Sequence, residues 1–133
     1  MLKIGVDLDY FTTVIPDFVN ALTRLFSGDG SEIFIISSMV PEVGDMVENF
    51  KYRVEQLEKL GVHGFDVMVL ADGKGLKGLA ESKKSLCSQL KIDLLFDDEP
   101  IFVEACKEVC HVLQFHKMGL NQLTKGDYPR GDE

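Results

Sequence analysis

Short apolar runs alternate along the chain with stretches whose apolar residues fall at helical spacing. Residues 2 to 6, Leu2-Lys3-Ile4-Gly5-Val6, read as a buried strand that ends in Asp7-Leu8-Asp9. Ile33-Phe34-Ile35-Ile36 is a second strand ending in Ser37-Ser38, and Val67 to Leu70 a third. Ile92 to Phe96 is a fourth, ending in Asp97-Asp98, and Val109 to Phe115 a fifth. Between the first two strands, Pro16 suits a first helical turn, and Phe18, Val19, Leu22, Leu25 and Phe26 form one stripe. Gly28-Asp29-Gly30 stops that helix. Pro41 predicts the start of a second helix, carried by Val43, Met46, Val47, Phe50, Val54, Leu57 and Leu60 and closed by Gly61. Residues 72 to 78 read as a loop, 79 to 90 as a third helix, and Pro100 to about Lys107 as a fourth. Strands alternating with helices predict an α/β fold: a single three-layer Rossmann-like domain whose five-stranded parallel sheet is covered by helices on both faces.

Composition sharpens this picture. The 133 residues suit one domain, and 45% hydrophobic content is enough for a real core. The expected core is 1–115, and the polar, glycine-containing tail, 116–133, is expected to be partly irregular and a candidate lid. Acidic residues number 22 against 14 basic ones, for a formal net charge of -8. That field opposes general nucleic-acid binding, although a bound cation can reverse it locally for a phosphorylated ligand. No apolar run approaches the roughly 20 residues that span a bilayer, and the start of the chain does not resemble a signal peptide. With Cys87, Cys106 and Cys110 as the only cysteines, the expectation is a cytoplasmic protein with reduced thiols and no membrane association.

The candidate chemistry sits at strand ends. In an open α/β sheet, ligands bind at the carboxyl edge. Side chains two apart on an extended chain face the same way, so Asp7 and Asp9 can face one small volume if the chain stays extended. Asp97 and Asp98 end the fourth strand, and Ser37 ends the second. In the third helix, Leu79, Leu86, Cys87 and Leu90 mark the apolar stripe. At about 100° per residue, Lys83 falls in its middle and Lys84 about 120° away. A lysine on a buried face needs an anionic partner.

An apolar strand ending in DxD, a strand ending in Ser, a helix lysine and an apolar strand ending in Asp97-Asp98 together resemble the motifs of the haloacid dehalogenase superfamily, in a small, capless, nucleotidase-like style. The resemblance covers residues 2 to about 114. It implies that strands one and four are neighbours, so that four aspartates meet. Two carboxylates about 4 Å apart repel by roughly 4 kcal/mol at an effective dielectric near 20. Such a cluster calls for a divalent cation or protonation, and Mg²⁺ suits oxygen ligands and keeps waters for a phosphate to replace. By resemblance, the activity would be Mg²⁺-dependent phosphomonoester hydrolysis through an aspartyl-phosphate. Asp7 would be nucleophile and metal ligand. Asp9 would be acid, base and backbone metal ligand. Ser37 and Lys83 would hold and neutralise the phosphoryl group, and Asp97 and Asp98 would complete the metal site.

One departure concerns the position two after Asp9, where the family carries Thr or a small residue. It is Phe11 here, with Thr12 next. Either Thr12 supplies the hydroxyl, or activity is low, or catalysis is lost. Neither the first loop nor residues 71 to 78 can build a cap domain, so the mouth should be open. That implies either a macromolecular phosphosubstrate or closure by a neighbouring subunit. The alternative function is a catalytically silent or receiver-like phospho-acceptor, with Asp72 and Lys117 in the receiver roles. The Asp97-Asp98 strand end argues against a receiver. Gly73 to Gly78 matches GxGxxG but follows the third strand rather than the first, which opposes a dinucleotide site. Cys106, Cys110, His111 and His116 lack zinc-site spacing.

Overall fold

The first strand, β1, is Lys3–Asp7, and its apolar residues are buried because strands flank it on both sides. The computed structural model describes residues 1–13, 15–26 and 28–115, with the side chains of Tyr10 and Phe11 excepted. The tail, 116–133, with its expected role as a lid, lies outside the described residues, as do His116 and Lys117. The other strands are β2 (Glu32–Ser38), β3 (Val67–Ala71), β4 (Leu94–Asp97) and β5 (His111–Gln114). The helices are α1 (Pro16–Phe26), α2 (Met46–Leu60), α3 (Gly75–Gln89) and α4 (Pro100–Cys106). The sheet has five strands in the order β3-β2-β1-β4-β5, all parallel. The expected fold class is therefore observed.

Strand alternation sorts the core into two layers. Ile4, Val6, Ile33, Ile35 and Phe96 pack with Val19 and Leu22 of α1 and Leu57 of α2. Phe34, Ile36 and Leu95 face the other way and pack with Cys87 of α3 and Cys106 of α4. Gly5 lies on this second face, where a Cβ would sit 2.8 Å from the Ile36 side chain and 3.0 Å from that of Leu95. The glycine lets the two neighbouring strands' side chains close over the centre of the sheet.

Two helix starts differ most from expectation. Helix α2 starts at Met46, not near Pro41. Asn49 holds the preceding loop: its Oδ1 accepts from the Val40 amide at 2.7 Å, and its Nδ2 donates to the carbonyls of Val40, Gly44 and Asp45. Asp45 then caps the helix in a reciprocal capping box with Glu48. Helix α3 starts at Gly75, inside the segment expected to be a loop. A Cβ on Gly73 would lie 2.5 Å from the Gly78 carbonyl, so these glycines let the chain fold tightly on itself into the helix.

Candidate functional site

The pairing of β1 with β4 in the register Val6↔Phe96 brings the next residues, Asp7 and Asp97, to the same carboxyl edge. The strand order turns back between these two strands, which is where open α/β sheets bind ligands. Asp7 shares the face of Gly5, and Asp97 shares the face of Leu95, so both point toward α3. Lys83 meets them there. Its Nζ donates to Asp7 Oδ1 at 2.8 Å and to Asp97 Oδ2 at 2.7 Å, with none of its side chain exposed. The ammonium also lies 4.6 Å from the centre of the Phe102 ring of α4. The stripe argument for Lys83 thus corresponds to its place in the fold. Lys84 points outward and pairs with Glu108 at 3.3 Å.

Asp7, Asp97 and Asp98 each offer a carboxylate oxygen within 4.8 Å of the others, and all three are buried. Asp97 also accepts from the Glu99 amide at 3.0 Å, which fixes its orientation at the start of α4. Burial pushes the Asp7 carboxyl well above its ordinary pKa; Lys83 offsets part of this, and Asp97 adds to it. Burial opposes the charge on Lys83, but the two carboxylates overcome it and hold the ammonium more firmly protonated than usual. Fully ionised, three carboxylates and one ammonium carry two net negative charges, the complement of a divalent cation. All-oxygen donors suit Mg²⁺. The residues present therefore fit that ion.

Asp9 is placed elsewhere. The chain does not stay extended after Asp7: Leu8–Thr12 form one turn of π-helix. The buried Thr12 hydroxyl donates to the Asp7 carbonyl and anchors that turn. The turn carries the Asp9 carboxylate away from Asp7, Asp97 and Asp98 and onto Arg53 of α2. Arg53 Nη1 donates to Asp9 Oδ1 at 2.8 Å, and Nη2 donates to Oδ2 at 3.0 Å. The Ser37 hydroxyl makes a longer contact with Asp9 Oδ2, at 3.4 Å. Arg53 also donates to the Ser38 carbonyl at 2.8 Å and to Gln56 Oε1 at 3.0 Å. The edge thus has two halves: an acidic one on the α3 face, with Lys83 embedded in it, and an anion-holding one on the α2 face.

Arg53 is the residue that the sequence reading missed. It lies three residues after Phe50 and four before Leu57, so it belongs to the inward stripe of α2. The stripe logic that singles out Lys83 would have found it. Val47 and Val54, expected on that stripe, are exposed instead.

The other features carry less. Among the described residues, the three cysteines are free thiols, and they form no metal cluster. A hollow of about 530 Å³ lies at the opposite, amino edge of the sheet, lined in part by Thr23, Gly30, Glu32, Gly64 and Asp66. No cationic side chain among the described residues lines it, and the gathered chemistry of those residues is at the carboxyl edge. No helix among the described residues is long and apolar enough to cross a membrane.

No family model matches the sequence, and no curated protein matches it. Two of the solved structures that resemble the chain are of universal stress proteins. One is a universal stress protein in complex with cAMP: TM-score 0.52, 12% identity, covering 87% of this chain and 97% of that chain. Another is a universal stress protein family member from Burkholderia pseudomallei: TM-score 0.48, 16% identity, covering 85% of this chain and 94% of that chain. The first likeness is one of fold. It corrects the expected membership of the haloacid dehalogenase superfamily. The phosphatase acting through an aspartyl-phosphate falls with that membership, as does the receiver-like alternative. The physical reason is that acid-ended strands and an inward lysine can arise on more than one parallel α/β fold. In this chain, their order along the sequence did not identify a family.

Proposed function

We propose that the carboxyl edge of the sheet binds a nucleotide, with a divalent cation on Asp7, Asp97 and Asp98 joining the protein to the ligand's phosphate. The observation that carries this reading is the buried carboxylate trio around Lys83 at the turning point of the strand order. The fold likeness to a universal stress protein in complex with cAMP supports a nucleotide as the ligand class. Without a cation, the acidic half would repel a phosphate. With one, the sign of the local field reverses. Mg²⁺ would supply that charge and exchangeable coordination positions. Lys83 holds Asp7 and Asp97 in place and limits their mutual repulsion. The α2 half, with Ser37 and Arg53, offers donors for phosphate oxygens.

The test is thermal unfolding with AMP, cAMP or ATP, each with Mg²⁺ and with a chelator. A ligand at a hundredfold excess over its Kd stabilises the native state by about 2.7 kcal/mol. The expected result is a rise in Tm that needs both nucleotide and Mg²⁺, and that shrinks in Asp98→Asn. If no nucleotide shifts Tm under either condition, the reading fails.

A further inference from the structure

The guanidinium of Arg53 sits where a ligand anion would be held, yet a residue of the chain itself already occupies it. The Arg53 side chain is 3% exposed, whereas that of its partner Asp9 is 52% exposed. The pair is therefore buried on the cation's side and open on the anion's side. Asp9 spends both oxygens on Nη1 and Nη2. Among the described residues, Arg53 Nε is left buried without a hydrogen-bond partner. An unserved buried donor of a charged group is costly, and a carboxylate has no third oxygen to serve it. A phosphate monoester has three terminal oxygens and recognises guanidinium bidentately. The Ser37 hydroxyl, itself fully buried, converges on the same carboxylate but at the long distance of 3.4 Å. Arg53 and Ser37 thus form a fixed seat that a carboxylate fills incompletely.

We propose that Asp9 is a displaceable resident anion: its carboxylate occupies the seat of the ligand's phosphate between Arg53 and Ser37, and ligand phosphate binds as Asp9 swings out toward solvent. This rests on the reading that the carboxyl edge takes a phosphate-bearing ligand. It adds that Asp9 opposes binding. Asp9 and the ligand compete for one cation, so the empty protein keeps Arg53 neutralised and the edge closed to weak anions.

The experiment is calorimetric titration in Mg²⁺ buffer with inorganic phosphate, AMP and adenosine. It uses the wild type, Asp9→Ala, Asp9→Asn and Asp9→Ala with Arg53→Met. The expected result is that Asp9→Ala binds inorganic phosphate at least tenfold tighter than wild type. Asp9→Asn, neutral and of the same shape, should gain less, and the added Arg53→Met should erase the gain. Asp9→Asn also covers the case in which Asp9→Ala does not fold. If folded Asp9 variants bind phosphate no tighter than wild type, or bind it more weakly, the seat is refuted, even where AMP still binds. If phosphate tightens as expected while AMP gains nothing over phosphate, the seat stands and the nucleotide reading is overturned.

Discussion

Lys83 is the residue on which the acidic half depends. It is fully buried and holds two carboxylates, at 2.8 and 2.7 Å. Removing one partner from a buried ionic group costs about 3–5 kcal/mol, because the remaining charges lose their compensation in a poorly solvating interior. Lys83→Met should therefore lower unfolding stability by about that amount in urea titrations. Millimolar Mg²⁺ should restore part of the loss, since a cation can replace the missing charge. A variant within about 1 kcal/mol of wild type would mean that Asp7 is already neutral in the native state and that Lys83 has little to neutralise. This residue was legible in the sequence because a lone cation in the middle of an apolar stripe has few explanations. Asp9 was less legible. Its spacing from Asp7 implied a shared direction only for an extended chain, and the π-turn pinned by Thr12 ends that extension one residue too early.

At the scale of elements, the strands followed from apolar runs, and their ends fell within a few residues of expectation. Helix starts were less legible. Pro41 and Val43 imitate a helix onset, but the side chain that decides the matter, Asn49, acts backwards across the loop. It takes over backbone groups that a helix beginning at Pro41 would have arranged differently. A short-range pattern carries no sign of such a long-reaching polar clamp. Asn49→Ala would leave the Val40 amide without its partner and take the side-chain donor from three carbonyls, two of which keep a backbone donor, at a cost of about 1–3 kcal/mol. Hydrogen exchange should speed up most at the Val40 amide, while the amides of β1 keep their protection. Uniform acceleration across the sheet would show that the loop is not a separate unit. This loop also leads into the helix that carries Arg53, so its looseness should be felt at the anion seat.

At the scale of the molecule, the alternation of strands and helices gave the architecture but not the family, and the adjacency of β1 and β4 was expected only through the resemblance to the haloacid dehalogenase superfamily. The residues that meet at the carboxyl edge come from positions 7, 9, 37, 53, 83, 97 and 98, and similar sets of charged strand ends can arise on more than one doubly wound fold. The pairing of β1 with β4 joins Ile4 to Leu94, so one of the most central contacts of the sheet is also among the most distant along the chain. Contacts of that separation require long loops to close first, and they govern how fast such folds assemble. We expect the carboxylates of Asp7 and Asp97 to repel each other only after the rate-limiting closure, as the strand ends align. A cation that acts on them can then change how long the native state survives without changing how quickly it is reached. In stopped-flow measurements, Mg²⁺ should slow unfolding and leave the refolding limb where it is. Faster refolding in Mg²⁺ would mean instead that the two central strands meet before the rate-limiting step.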